Sequence, residues 1–111
     1  MDNWKHITTN EDVNEIIKQS NVFPQIIFKD SISCGISAHA KSRLTEGFDI
    51  IKDKADFNYL DLLAYRSVSN YIASHLQIMH QSPQILILKD GQVIYTVTHH
   101  AIDADTILKH L

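Results

Sequence analysis

The chain has 111 residues, 44% of them apolar, which suits one compact domain with a real core and is too short for two ordinary ones. Ten lysines and arginines stand against 13 aspartates and glutamates, a formal charge of -3, so global electrostatics give no case for nucleic acid or an anionic membrane as a partner. One cysteine allows no internal disulfide, and the start of the chain lacks a basic segment leading into an apolar one, so the expected compartment is the cytoplasm.

In chain order, Thr9-Asn10-Glu11-Asp12 sets a capping hydroxyl three residues before a carboxylate, and Val13, Ile16 and Ile17 follow at helical spacing. This predicts a first helix ending near Ser20. Pro24 punctuates, and Gln25-Ile26-Ile27-Phe28-Lys29 is a short, nearly continuous apolar run of the kind found in strands buried on both faces. Ile36, Ala40, Arg43, Leu44 and Phe48 then carry an imperfect helical stripe that ends around Gly47. After the polar stretch 52–56, Phe57-Asn58-Tyr59-Leu60-Asp61-Leu62-Leu63 reads as a second strand.

Val68, Tyr71, Ile72, His75, Leu76 and Met79 form the clearest helical stripe, starting after Arg66-Ser67 and running to about Leu76. Its Val68, Ile72 and Leu76 face is expected in the core. Pro83 precedes Gln84-Ile85-Leu86-Ile87-Leu88, Asp90-Gly91 supplies a two-residue turn, and Gln92 to Thr98 alternates, which predicts a β-hairpin. The tail from Ile102 to Leu111 shows a helical face. The order helix, strand, helix, strand, helix, hairpin, helix predicts an α/β domain spanning 1–111. Its central mixed sheet has parallel strands and a terminal antiparallel hairpin, with helices on both faces, so a thioredoxin-like fold is the economical assignment.

In such a fold the loop after the first core strand faces the loop that ends in proline before the hairpin, and Cys34 and Pro83 take those two places. Cys34 is expected at the opening of a helix, where unpaired N–H groups and partial positive charge favour the thiolate, the nucleophilic form. Ser31, Ser33, Gly35 and Ser37 make its surroundings a polar turn, unlike the apolar site of a purely structural cysteine. With Ser37 three residues on, where a resolving cysteine could stand, a mixed disulfide at Cys34 must be resolved by an outside thiol.

The chain resembles the monothiol bacilliredoxins across almost its whole length. The likeness rests on Trp4, on Phe28-Lys29 and Ser31 leading to Cys34-x-x-Ser37, on Arg66-x-Val68-Ser69-Asn70, on His80-x-Ser82-Pro83-Gln84, and on His99. It implies removal of bacillithiol, or a similar low-molecular-weight thiol, from S-thiolated proteins, with Cys34 attacking and free thiol regenerating it. The small thiol is then a co-substrate, and no tightly bound cofactor is expected. The resemblance also favours a cis Ser82-Pro83 bond, with Ser82, Pro83 and Gln84 on the thiol or substrate side. Family members often read Lys-His-Ser and Cys-Pro-Ile-Ser where this chain has Lys29-Asp30-Ser31 and Cys34-Gly35-Ile36-Ser37. Asp30, if close to the sulfur, would raise the thiol pKa against the helix-terminus effect.

Supporting roles have plainer alternatives beside them. Ser37 either donates to the thiolate or pairs with nearby backbone, and Gly35 either admits a close backbone approach or relieves crowding in its turn. His80 either assists the sulfur chemistry, stabilising a thiolate or protonating a leaving thiol, or is a packing or surface histidine. Lys29 and Arg66 either orient an anionic group of the thiol or are solvated charges. Seven histidines raise a metal site, with His80, His99, His100 and Cys34 as a conceivable set, yet no paired local ligand spacing supports one. Two other functions compete. Cys34-Gly35-Ile36-Ser37 resembles the motif of cluster-binding monothiol glutaredoxins, whose Gly-Gly pair and threonine-valine lead into the proline are missing here. A non-catalytic binding module of the same fold is the other.

Overall fold

A computed structural model of the chain describes residues 4–31 and 35–111, the side chains of Ile36, Ser37 and His100 excepted. The elements are β1 (Lys5–His6), α1 (Asn10–Gln19), β2 (Gln25–Asp30), α2 (Gly35–Gly47), β3 (Asp56–Asp61), α3 (Arg66–His75), β4 (Gln84–Lys89), β5 (Gln92–Thr98) and α4 (Ala104–Leu108). Short 3-10 turns, Phe48–Ile50 and His99–Ala101, follow α2 and β5.

The strands form one sheet in the order β1-β3-β2-β4-β5. β3 runs parallel to both β1 and β2, β4 is antiparallel to β2, and β5 closes an antiparallel hairpin with β4. This is the expected mixed α/β arrangement. Every residue of β2 is buried because both faces of the sheet are covered, which explains its nearly unbroken apolar run. On one face Ile26, Phe28, Phe57, Ile85 and Ile87 pack with Trp4 and with residues of α2 and α4. On the other, Ile27, Leu60, Leu86 and Leu88 pack with Val13 and Ile16 of α1 and Val68 and Ile72 of α3.

Local chemistry places the boundaries. Thr9 and Asp12 form the expected capping box, each side chain accepting from the other's backbone N–H. Asp90 and Gly91, at φ 53° and 77°, make the left-handed two-residue turn that lets a hairpin follow the sheet's twist. The end of α1 holds that turn, since Asp90 N donates to the Ser20 carbonyl and Gly91 N to Ser20 Oγ.

Three boundaries differ from expectation. β3 stops at Asp61, before Leu62 and Leu63, because Asp61 Oδ1 accepts the N–H groups of Leu63 and Ala64 and turns the chain. The last helix is only Ala104–Leu108, capped by Asp103, whose Oδ1 accepts Thr106 N at 2.7 Å. β1 was not expected at all, since two residues are too few to show alternation. It forms because β3 offers it an edge.

Candidate functional site

The loop after β2, the loop after β3 and the loop before β4 lie at one end of the sheet. Gln84 pairs with Lys29 across the antiparallel β2–β4 ladder, so Pro83 sits beside the end of β2 from which the cysteine segment leaves. The Ser82–Pro83 peptide is cis, as the resemblance implied. His99 N donates to the Pro83 carbonyl at 3.2 Å, linking the end of β5 to the proline loop. Cys34, with its expected nucleophilic role, lies outside the described residues, as does the side chain of Ser37. Gly35, the next residue after Cys34, opens α2, a helix of 13 residues. Ser31 is half-buried just past β2.

A Cβ at Gly35 would meet no described atom within 4 Å beyond its chain neighbours. One expectation for this loop is corrected. Gln84 was expected on the ligand side, yet its side chain is buried: Nε2 donates to the Met79 carbonyl at 3.1 Å and Oε1 accepts Gln81 N at 3.3 Å. It organises the proline loop from inside, because the β4 pleat turns it inward where its amide has backbone partners. Ser82 Oγ is buried with no described hydrogen-bond partner.

Lys29 requires the largest correction. It is fully buried, so it is neither a solvated charge nor open to an anionic ligand. The reason is the pleat: Lys29 follows Ile27 on the α3 face of β2. Its Nζ donates to the Ser69 carbonyl oxygen at 3.2 Å and lies 3.3 Å from His80 Nδ1. Burial pushes its pKa down to about 8. Ser69 Oγ, also buried, lies 3.3 Å from the same Nδ1. The outer side of His80 is exposed, and burial of the rest, with the charges of Lys29 and Arg66, lowers the imidazole pKa. Arg66, the first residue of α3, is exposed and remains available to an anion. Ser69 lay within a matched motif, but sequence reasoning gave it no role. Its importance depends on contacts with residues 40 and 11 positions away.

Asp30 points to the other face, under α2. Tyr59 donates its hydroxyl to Oδ2, Lys41 Nζ stands 4.0 Å from that oxygen, and Oδ1 is buried without a described partner. Burial first, then the hydrogen bond and charge of Asp30, raise the Tyr59 pKa. Among the described residues no three His, Asp or Glu side chains gather as a metal site, and no helix is long and apolar enough to cross a membrane.

The comparisons agree with this fold. A family model described as monothiol bacilliredoxin BrxC matches residues 5–107. Among solved structures, one with a thioredoxin fold, described as a candidate oxidoreductase, superposes with a TM-score of 0.83 at 21% identity, covering 97% of this chain and 93% of its own. Mitochondrial thioredoxin 3 from Saccharomyces cerevisiae gives a TM-score of 0.71 at 20% identity, covering 96% and 91% of the two chains. Malassezia sympodialis thioredoxin gives 0.73 at 16% identity, covering 96% and 86%. At these identities the structures speak for the thioredoxin fold.

Proposed function

The chain belongs to the monothiol bacilliredoxin family, and on that premise we propose that it removes a low-molecular-weight thiol, bacillithiol first among the candidates, from protein mixed disulfides. The observation that carries this reading is the family match over residues 5–107, together with the Ser82–Pro83 loop standing beside the end of β2, four residues before Cys34 in the sequence. An extended thiol-bearing segment can lie along such a loop with its sulfur toward the cysteine.

The Cys34 thiolate attacks the small-thiol sulfur of the mixed disulfide. The target's sulfur leaves with the electron pair of the broken bond, and Cys34 is left disulfide-bonded to the small thiol. A second small-thiol thiolate then attacks that adduct, releasing the small thiol as its own disulfide and restoring Cys34. Arg66, an exposed cation at the start of α3, suits a carboxylate of the small thiol. S-thiolated proteins are the substrates, no resident cofactor takes part, and the reaction belongs in the cytoplasm.

The test is to incubate the protein with one target carrying bacillithiol, glutathione or coenzyme A as the mixed disulfide, with Cys34→Ser as control. Faster release of bacillithiol than of the other two, abolished in Cys34→Ser, is the expected result. Equal release by Cys34→Ser overturns the reading.

A further inference from the structure

His80 is held by groups from two other elements, Lys29 of β2 and Ser69 of α3, both acting on Nδ1. An ammonium has only donors, so the nitrogen facing Lys29 is the accepting one, and the ring proton belongs on Nε2. Because Nδ1 faces the buried lysine, the Nε2 edge points away from it, toward the exposed side of the residue. Among the described residues, the charged groups acting on the ring are Lys29 from β2 and Arg66 from α3, and the Ser69 hydroxyl lies 3.3 Å from Nδ1. Burial first, and then these two cations, disfavour a second ring proton and so favour the neutral imidazole.

We propose that Lys29 and Ser69 are positioning residues that hold His80 as the neutral Nε2–H tautomer at the Ser82–Pro83 loop, where it donates a hydrogen bond to the sulfur anion displaced from the mixed disulfide. This rests on the thiol-transfer reading above. In that step the target's S–S bond breaks, Cys34 takes up the small thiol, and the displaced thiolate keeps its electron pair and later takes a proton from water. His80 keeps its own proton throughout, since giving it up would place an imidazolate beside a thiolate. The role is that of a fixed donor, which differs from a general acid.

Gln and Ala at position 80 separate the alternatives. His80→Gln keeps an N–H donor near the Nε2 position but cannot titrate. We expect His80→Ala to slow transfer about ten- to a hundredfold, the factor a hydrogen bond to a charged group is worth, while His80→Gln stays within a few-fold of the parent. Nitrogen NMR of the unmodified protein, free of any substrate, should show His80 protonated on Nε2. Its midpoint should lie below the ordinary imidazole value of about 6.5 and rise in Lys29→Met. A ring protonated on Nδ1, an unmoved midpoint in Lys29→Met, or His80→Gln as slow as His80→Ala overturns the proposal. The NMR measurements do not depend on turnover, so they fail independently of the Cys34→Ser comparison that tests thiol transfer itself.

Discussion

Replacing Lys29 by Met removes a fully buried ammonium while keeping an unbranched chain of similar length in the same space. In the unfolded chain the lysine titrates near 10.5, and burial brings it to about 8 in the folded protein. At about 1.4 kcal/mol per pH unit, the folded state disfavours the charged form by roughly 3 kcal/mol. The sign follows from proton counting. Below pH 8 both states hold the proton and the full penalty stands. Between about 8 and 10.5 the unfolded chain binds more protons than the folded one, so stability conferred by this residue rises with pH.

The unfolding free energy of the parent minus that of Lys29→Met should therefore climb by roughly 3 kcal/mol from pH 7.5 to pH 10.5. Urea denaturation of the two proteins at matched pH measures it, and taking the difference cancels the other lysines and tyrosines. At neutral pH the variant should be the more stable by up to that amount, less what the bonds to the Ser69 carbonyl and His80 contribute. A parent-minus-variant difference that stays flat across this range refutes the buried, strained ammonium. A difference that falls with pH refutes the sign.

Two further substitutions test how α2 meets its neighbours. A Cβ on Gly47 would collide with the Ala104 Cβ of α4, so Gly47→Ala should destabilise by about 1–3 kcal/mol, and adding Ala104→Gly should restore most of it in thermal unfolding. Tyr59→Phe takes the hydroxyl from Asp30, whose other carboxylate oxygen already lacks a described partner. It should cost about 2–3 kcal/mol in chemical denaturation at neutral pH, and no loss there would mean that water replaces the phenol.

The fold was legible where the deciding interactions are local. The Thr9–Asp12 box spans four residues, and the turn at Asp90-Gly91 needs only two left-handed φ angles, so both could be read without knowing the rest of the chain. The apolar run of β2 marked it as buried on both faces for the same reason. β1 escaped notice because a two-residue strand carries no period of its own and exists only against β3. The motifs around Cys34, Ser82-Pro83 and Arg66 were also legible as a resemblance, and the family match over residues 5–107 agrees with it.

By itself, then, the sequence determined the order of elements, the hairpin, the thioredoxin-like class and the family, since these follow from periodicity, turn chemistry and short motifs. Only the tertiary structure decided what Lys29, Gln84 and Asp30 do. Lys29 looked like a ligand-binding charge until the pleat of β2 turned it beneath α3, against residues 40 and 51 positions away. Gln84 looked like a substrate residue until its amide was found bonded to the loop behind it. Burial of a polar side chain depends on which distant groups arrive to satisfy it, and that pairing is made by the packing of the sheet rather than by any stretch of sequence.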